Sequence, residues 1–389
     1  MAQEIQKTSS AAESKDALSL RHVLTFALDM GASDVHLKTG RPPAIRVDGV
    51  LRFTEMTALT HNNMLDMVEQ ILGPERRDRF LHTGDADHAL AMPGVGRFRV
   101  NLFRQRGSIA IVLRHVKSKI PTFEELNLPI QAMEHIARLS RGLVLVTGTT
   151  SSGKSTTLAA LLDRINETRE GHIVTLEDPI EYVHSDKKCS VCQREVSIDT
   201  KDFQTGLRAL MREDPNVILI GEMRDVETFQ TCIGAAETGH LVMSTLHTTN
   251  VMMTIDRILD LFPANQQTQV RSQLALQLRA IISQRLLPMA GGVGRVPAVE
   301  VMFNNPGIAL LIRDNEIRQI PTAIAAGVDE GMQTFNRSLV ELVRAGRIDL
   351  ETAEWASDNP EELKMNLQGI YTSHGRGGIL KKPAHHFTT

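Results

Sequence analysis

The hydrophobic rhythm of the chain changes near residue 120. Upstream it is striped or alternating. Leu20, Val23, Leu24, Ala27 and Leu28 fall on one face at helical spacing and predict a helix from about Leu18. "AIRVDGVLRF" sets Asp48-Gly49 between two alternating runs, which is a hairpin signal. A second helix is expected over about 62–81. Strands follow at "DHALAM", "RFRVNLFRQRG" and "IAIVLRHV", the first two joined by a turn at Pro93-Gly94. A short connection around Gly107 is expected to pair the last two strands antiparallel, with Arg99 and Arg114 on one face. These elements make an α/β domain over 18–116, behind a polar, aperiodic and disordered tail at 1–17. A stretch with two prolines, 117–130, reads as a linker.

Downstream the strand patterns "GLVLVTG", "HIVTLED", "NVILIG" and "HLVMSTLHT" are continuously apolar and separated by helical segments. Such strands are buried on both faces, so an α/β architecture with a mainly parallel sheet is expected. After about residue 250 the pattern reads as helical, through "QVRSQLALQLRAIISQRLL" and shorter helices to about 368. The second domain is therefore placed at 131–368, with a flexible tail at 369–389.

The chemistry begins behind the first of these strands. Gly148, Thr149, Thr150, Ser151, Ser152, Gly153, Lys154 and Ser155 fit the P-loop pattern G-x-x-x-x-G-K-[ST], and Leu158, Leu161, Leu162 and Ile165 continue it as a helix. Backbone N–H groups and the positive end of that helix can converge on a phosphate. Lys154 can reach the β- and γ-phosphates, and Ser155 can ligate Mg²⁺. A P-loop needs acidic groups at neighbouring strand ends. "VILIGEMRD" supplies Glu222, and "TLEDPIEYVH" supplies Glu177, Asp178 and Glu181. In a parallel sheet these ends gather at one edge. "ETGHLVMSTLHTTN" adds His240 and His247 at the two ends of one strand-like stretch.

Composition narrows the alternatives. With 389 residues, 42% of them hydrophobic, two or three globular domains are expected. A net charge of -3 argues against a general nucleic-acid binder, so no nucleic-acid partner is expected. No apolar run approaches a membrane span and the N-terminus has no signal-peptide core, so a cytoplasmic protein is expected. Cys189 and Cys192 form a lone CxxC, too few ligands for structural zinc, and with Cys232 they read as buried or strand thiols.

Several long stretches, in order, resemble the secretion-type ATPases, specifically the PilT/PilU-type twitching-motility ATPases of type IV pili. They include "SDVHL", "GRFRVNLFRQRG", "GLVLVTGTTSSGKSTTLAALLDRIN", "EDPIEYVH", "LRALMREDPNVILIGEMRD", "AAETGHLVMSTLHTT" and "IDRILDLFP". The resemblance spans roughly 18–368. It implies a PAS-like N-terminal domain, a RecA-like P-loop ATPase domain with a helical C-terminal part, ATP and Mg²⁺ as ligands, and a homohexamer that retracts pili. The implied partners are an inner-membrane pilus platform protein and other pilus motor subunits, with the motor peripheral at the inner membrane. By position, Lys154, Ser155 and Thr156 fall in the Walker A motif and Glu222 in the Walker B. Glu177, Asp178 and Glu181 fall in the Asp box, with Glu181 at the water-activating position, and His240 and His247 bracket the His box. The family also brings arginines to the γ-phosphate, for which Arg99 and Arg114 stand on matching strands and Arg208 and Arg212 on the helix before the Walker B strand. Arg208 and Arg212 have an alternative role in pairing with Glu213 and Asp214.

Two departures stand out. The family loop reads G-P-T-G-S-G-K-S-T, and loss of its inner glycine removes freedom for a φ > 0 residue, so altered turnover or affinity is expected. The retraction helix "A-I-R-N-L-I-R" is here "GIALLIR", with Ala309 in place of an arginine. Motifs of both the PilT-like and the PilU-like branch occur, and the sequence leaves the branch open. An assembly or type II secretion motor, a nucleic-acid translocase and a non-hydrolysing hexamer subunit are the competing readings. DNA-stimulated turnover marks the translocase, and binding without turnover marks the subunit.

Overall fold

The two hydrophobic rhythms become two sheets. The computed structural model describes residues 18–47, 49–116, 119–292, 294–372 and 379–380, and the chain divides into the units Met1–Ser118 and Lys119–Thr389.

In the first unit, α1 (Leu20–Asp29) is capped by Ser19, which accepts from the His22 N–H, and buries Leu20, Val23, Leu24 and Ala27. Helix α2 (His61–Thr83) starts on a reciprocal Thr60–Asn63 cap, kinks at Gly73-Pro74 and ends at Gly84 in the left-handed conformation. Strands β1 (Asp34–Lys38), β2 (Ala44–Val47), β3 (Val50–Phe53), β4 (Asp85–Met92), β5 (Gly96–Gln105) and β6 (Ser108–Val116) form an antiparallel sheet in the order β3-β2-β1-β6-β5-β4. The β2–β3 pairing matches the expected hairpin, although Asp48 itself lies outside the described residues. Arg106 and Gly107 turn β5 into β6, both at positive φ as a two-residue hairpin loop requires. Arg99 therefore lies directly opposite Arg114, on one face as expected. Phe80, Phe98 and Leu113 are fully buried in the core, each contributing about 1.5–3 kcal/mol.

The second unit runs α3 (Ile130–Ala137), β7 (Gly142–Gly148), α4 (Lys154–Thr168), β8 (Gly171–Glu177), β9 (Cys189–Glu195), α5 (Phe203–Leu210), β10 (Val217–Ile220), α6 (Val226–Glu237) and β11 (Leu241–Leu246). There follow α7 (Val251–Asp260), α8 (Ala264–Gln277), β12 (Leu278–Pro288) and β13 (Arg295–Phe303). Five helices close the unit: α9 (Pro306–Arg313), α10 (Ile320–Ala326), α11 (Phe335–Arg344), α12 (Leu350–Ala356) and α13 (Pro360–Leu367). The sheet order is β13-β12-β7-β11-β10-β8-β9, parallel except where β13 turns back on β12. Every residue of β7, β10 and β11 is buried, which is why those segments read as unbroken apolar runs.

Two expectations need correction. Residues 278–288 and 295–303 are strands, not helix. The run "LALQLRAIISQRLL" carries no break where α8 ends, and a short continuous apolar run suits a buried strand as well as a buried helix. The proline-bearing stretch after Ser118 also does more than connect, because Phe123 and Leu128 are buried in the core of the second unit. Near the C-terminus, Tyr371–Thr372 pairs antiparallel with Ile379–Leu380, while the rest of the expected tail beyond Thr372 lies outside the described residues. All three cysteines are free thiols, two on β9 and one buried in α6.

Candidate active site

Strand β7 delivers Gly148, and five residues later Gly153 caps α4 at φ +94°. Only glycine fits at 148, since a Cβ there would collide with Ser152 Oγ and the Gln284 carbonyl of β12. Between the glycines, Ser151 takes φ +63°. This is the conformation for which the family loop keeps a glycine, and for an L-residue it costs about 1–2 kcal/mol. The ammonium of Lys154 donates to the carbonyls of Gly148 and Thr149, both at 2.9 Å. The loop thus keeps its shape around its own lysine. Ser152 Oγ is buried without a protein partner.

A cavity of about 730 Å³ opens beside the loop, within the usual range for small-molecule sites. Four parallel segments contribute at their carboxyl ends: Lys154 and Ser155 after β7, Glu177 and Glu181 at the end of β8, Glu222 after β10 and His247 after β11. The segments are brought to one edge because β7, β11, β10 and β8 are neighbours in the sheet. His247 Nε2 lies 3.3 Å from Glu222 Oε1, and Arg224 donates to the other carboxylate oxygen of Glu222 at 2.7 Å. Thr156 Oγ1 and the Tyr182 hydroxyl meet at 3.1 Å.

Burial lowers the pKa of the Lys154 ammonium, and the charges of Glu222 and Glu181 oppose the shift. The three groups are therefore close enough to feel one another before any ligand arrives. Burial pushes the Glu177 carboxyl up to about 7 although part of its surface faces the cavity. Hydrogen bonds from Thr175, Gln193 and the Glu181 backbone N–H hold it back, and the Glu181 charge adds to the rise. Burial also lowers His184 to about 4, and its Nδ1 has no protein partner.

Not every expected residue converges here. Gly148, Thr149 and Ser152 shape the loop, while Thr150, Ser151, Gly153 and Thr156 line the cavity. Asp178 lines it as well. His240 precedes β11, at the opposite end from His247, where its ring bonds the Ala235 carbonyl and Thr238, so it does not reach this cavity. Arg208 is held by Glu227 at 2.8 Å, and Arg212 is exposed beyond the end of α5. Neither lines the cavity, and Glu213, one of the alternative partners, is paired with Arg194. In the first unit, Arg114 donates to Asp34 Oδ1 at 2.7 Å, with its side chain 69% exposed, and Arg99 is exposed. Burial alone would raise the Asp34 carboxyl, yet Ser33 and Arg114 outweigh it and hold the group below its ordinary value.

Sequence reasoning missed Arg224, His184 and Arg295, all of which line the cavity. Arg295 was invisible because its segment was read as helix. Arg224 and His184 lay inside quoted motifs but carried no spacing signal of their own.

Lys154, Ser155 and Glu222 fit Mg²⁺-nucleotide. An ammonium stands ready for phosphate, and a hydroxyl and a carboxylate share the cavity with it. Among the described residues no cluster of three or more His, Cys, Asp or Glu suits a metal. The chain is 46% identical to the type IV pilus retraction ATPase PilT of Pseudomonas aeruginosa, over 89% of this chain and all of that one. To the type IV pilus ATPase PilU of the same organism it is 37% identical, over 90% of this chain and 92% of that one. A crystal structure of the pilus retraction motor PilT with bound ADP superposes with a TM-score of 0.81 at 47% identity, covering 89% of this chain and 99% of that one. The model of the type II/IV secretion system protein family matches residues 12–341, most of the chain: the chain belongs to that family.

Proposed function

We propose that the protein is a P-loop ATPase that works as a hexameric motor for type IV pilus retraction. The observation that carries this reading is the meeting of Lys154, Ser155, Glu181 and Glu222 in one cavity, on a chain that matches a retraction ATPase along that protein's whole length. The higher identity to PilT than to PilU favours the PilT-like branch.

Each residue has a task suited to its chemistry. Lys154 leaves the loop carbonyls for phosphate oxygens, and Ser155 with Glu222 holds Mg²⁺, which when bound neutralises phosphate charge. Glu181 accepts the proton of the attacking water. Glu177, bonded to Thr175, Gln193 and the Glu181 N–H, fixes the backbone under it. His247 orients Glu222. Arg99 and Arg114, paired across β5 and β6, supply transition-state charge when subunits assemble, so either alanine variant should lower kcat at least about tenfold with affinity nearly kept. No helix among the described residues is long and apolar enough to cross a membrane, which suits a motor held at the inner membrane by a platform protein.

The test is an ATPase assay with a mass measurement on the purified protein, with and without DNA. Expected are turnover independent of DNA and a mass near six chains with ATP. A strictly monomeric protein under ATP at micromolar concentration overturns the motor reading, and binding without turnover overturns the enzyme.

A further inference from the structure

His247 has to be held against Glu222 by something, because it stands at the end of a strand on a connecting segment. Three residues separate it from α7, whose cap Asn250 accepts from the Met253 N–H. Two buried attachments fix this segment. Thr248 Oγ1 meets Thr254 Oγ1 at 2.7 Å, and Thr254 lies 3.4 Å from Thr147 Oγ1, on the residue before Gly148. The other attachment is Glu300, on β13, whose Oε2 accepts the Val251 N–H at 2.8 Å.

Glu300 is 7% exposed and plays no part in the site as described. A carboxylate this deep is costly, and burial pushes it up to about 7 against the pull of the Val251 N–H and the Arg285 charge, with Asp358 adding to the rise. Arg285 is shared between this segment and the helices that follow, and donates to the Thr249 carbonyl at 3.5 Å. It stacks on Phe335 at 4.1 Å and bonds Asp358 and the Ala356 carbonyl. An apolar residue among the valines of β13 would avoid the cost, so the carboxylate's return lies in the bond it makes to the segment and in the nearby Arg285 charge.

We propose that Glu300 is a positioning residue of the nucleotide site: through the Val251 N–H it fixes the segment 247–251 and hence the placement of His247 against Glu222. The inference rests on the reading of His247 as part of the hydrolytic site.

Four variants and a double mutant decide it, each measured for kcat and for the Kd of a fluorescent ATP analogue. Glu300→Ala removes the acceptor and should lower kcat at least about tenfold with Kd within about threefold. Glu300→Gln keeps an oxygen for the Val251 N–H without the charge and should recover most of the loss. Val251→Pro deletes the donor instead. Proline is tolerated at the first helical position and Asn250 is already extended, so the fold should survive and kcat should fall as in Glu300→Ala, which keeps the question open to test even if that variant does not fold. His247→Ala combined with Glu300→Ala should be no more than about twofold slower than His247→Ala alone. A slow His247→Ala with a full further loss in the double mutant overturns the positioning role and leaves the site reading intact. Val251→Pro at wild-type turnover, or Glu300→Gln as slow as Glu300→Ala, also overturns it. His247→Ala at wild-type turnover overturns both.

Discussion

His240 and His247 flank the same six-residue strand, β11, and their surroundings differ in kind. At the amino end the ring of His240 is spent on the Ala235 carbonyl and Thr238, closing the turn that follows α6. Nearby, Asn216 Oδ1 accepts the His172 N–H. Polar groups there complete the fold. At the carboxyl end, Ser152 Oγ and His184 Nδ1 are buried without protein partners, the Glu177 carboxyl is pushed up to about 7, and Lys154 borrows loop carbonyls. Buried polar groups are nearly always satisfied, so Ser152 Oγ in the loop and His184 Nδ1 on the cavity are two groups that a ligand can satisfy. One sheet thus separates structure from chemistry by strand polarity.

The most severe way to break this contrast is to remove the carboxylate proposed to activate water. Glu181→Gln should keep nucleotide affinity and lose roughly 10²–10⁴ in kcat. Glu177→Gln should stay within about fivefold, and if it is the crippled variant the two roles are exchanged. Glu177 also has a pH signature. Its folded pKa is raised, so ionising it costs stability: the penalty is absent below the ordinary 4.5, grows with rising pH and is complete above about 7. Thermal melts of Glu177→Gln should therefore fall less between pH 5 and 8 than those of the wild type.

A smaller loss is expected for Lys154→Ala. A charge-assisted hydrogen bond contributes about 1.5–3 kcal/mol, so nucleotide Kd by calorimetry should weaken roughly 10- to 100-fold. The paired histidines sharpen the comparison most directly. His247→Ala should cost about tenfold in kcat, whereas His240→Ala should leave kcat within about twofold and show only in the melting temperature. Equal kinetic losses would erase the distinction between the two ends. The mildest effect belongs to Ser151. Ser151→Gly relieves about 1–2 kcal/mol of left-handed strain and loses about 0.5–1 kcal/mol to added chain entropy. Nucleotide affinity should shift by no more than about fivefold. Ser151→Ala, which keeps the strain, should behave like the wild type, and an alanine variant that mimics the glycine one would assign the effect to the hydroxyl.

Much of this edge was legible because its signals are local. A glycine pair at fixed spacing, a lysine and an apolar strand before them announce the P-loop, acidic residues after apolar runs announce Glu177 and Glu222, and the family resemblance singles out Glu181. What stayed hidden depends on distant partners. Ile281, Ile282 and Leu287 read as helix because nothing in the run marks the end of α8, so β12 and β13 vanished, and Arg295 and Glu300 with them. Glu300 is a single acidic letter in "PAVEVMF", and only the fold reveals that it meets the N–H of Val251. Arg208 is the opposite case: its place on the helix before the Walker B strand suggested phosphate, but within this chain it lies outside the cavity and pairs with Glu227 of the next helix.

The hold of Lys154 on the carbonyls of Gly148 and Thr149 bears on how the molecule spends its time between turnovers. A cation that already has two acceptors arrives at a phosphate by trading partners, and returns to them when the product departs.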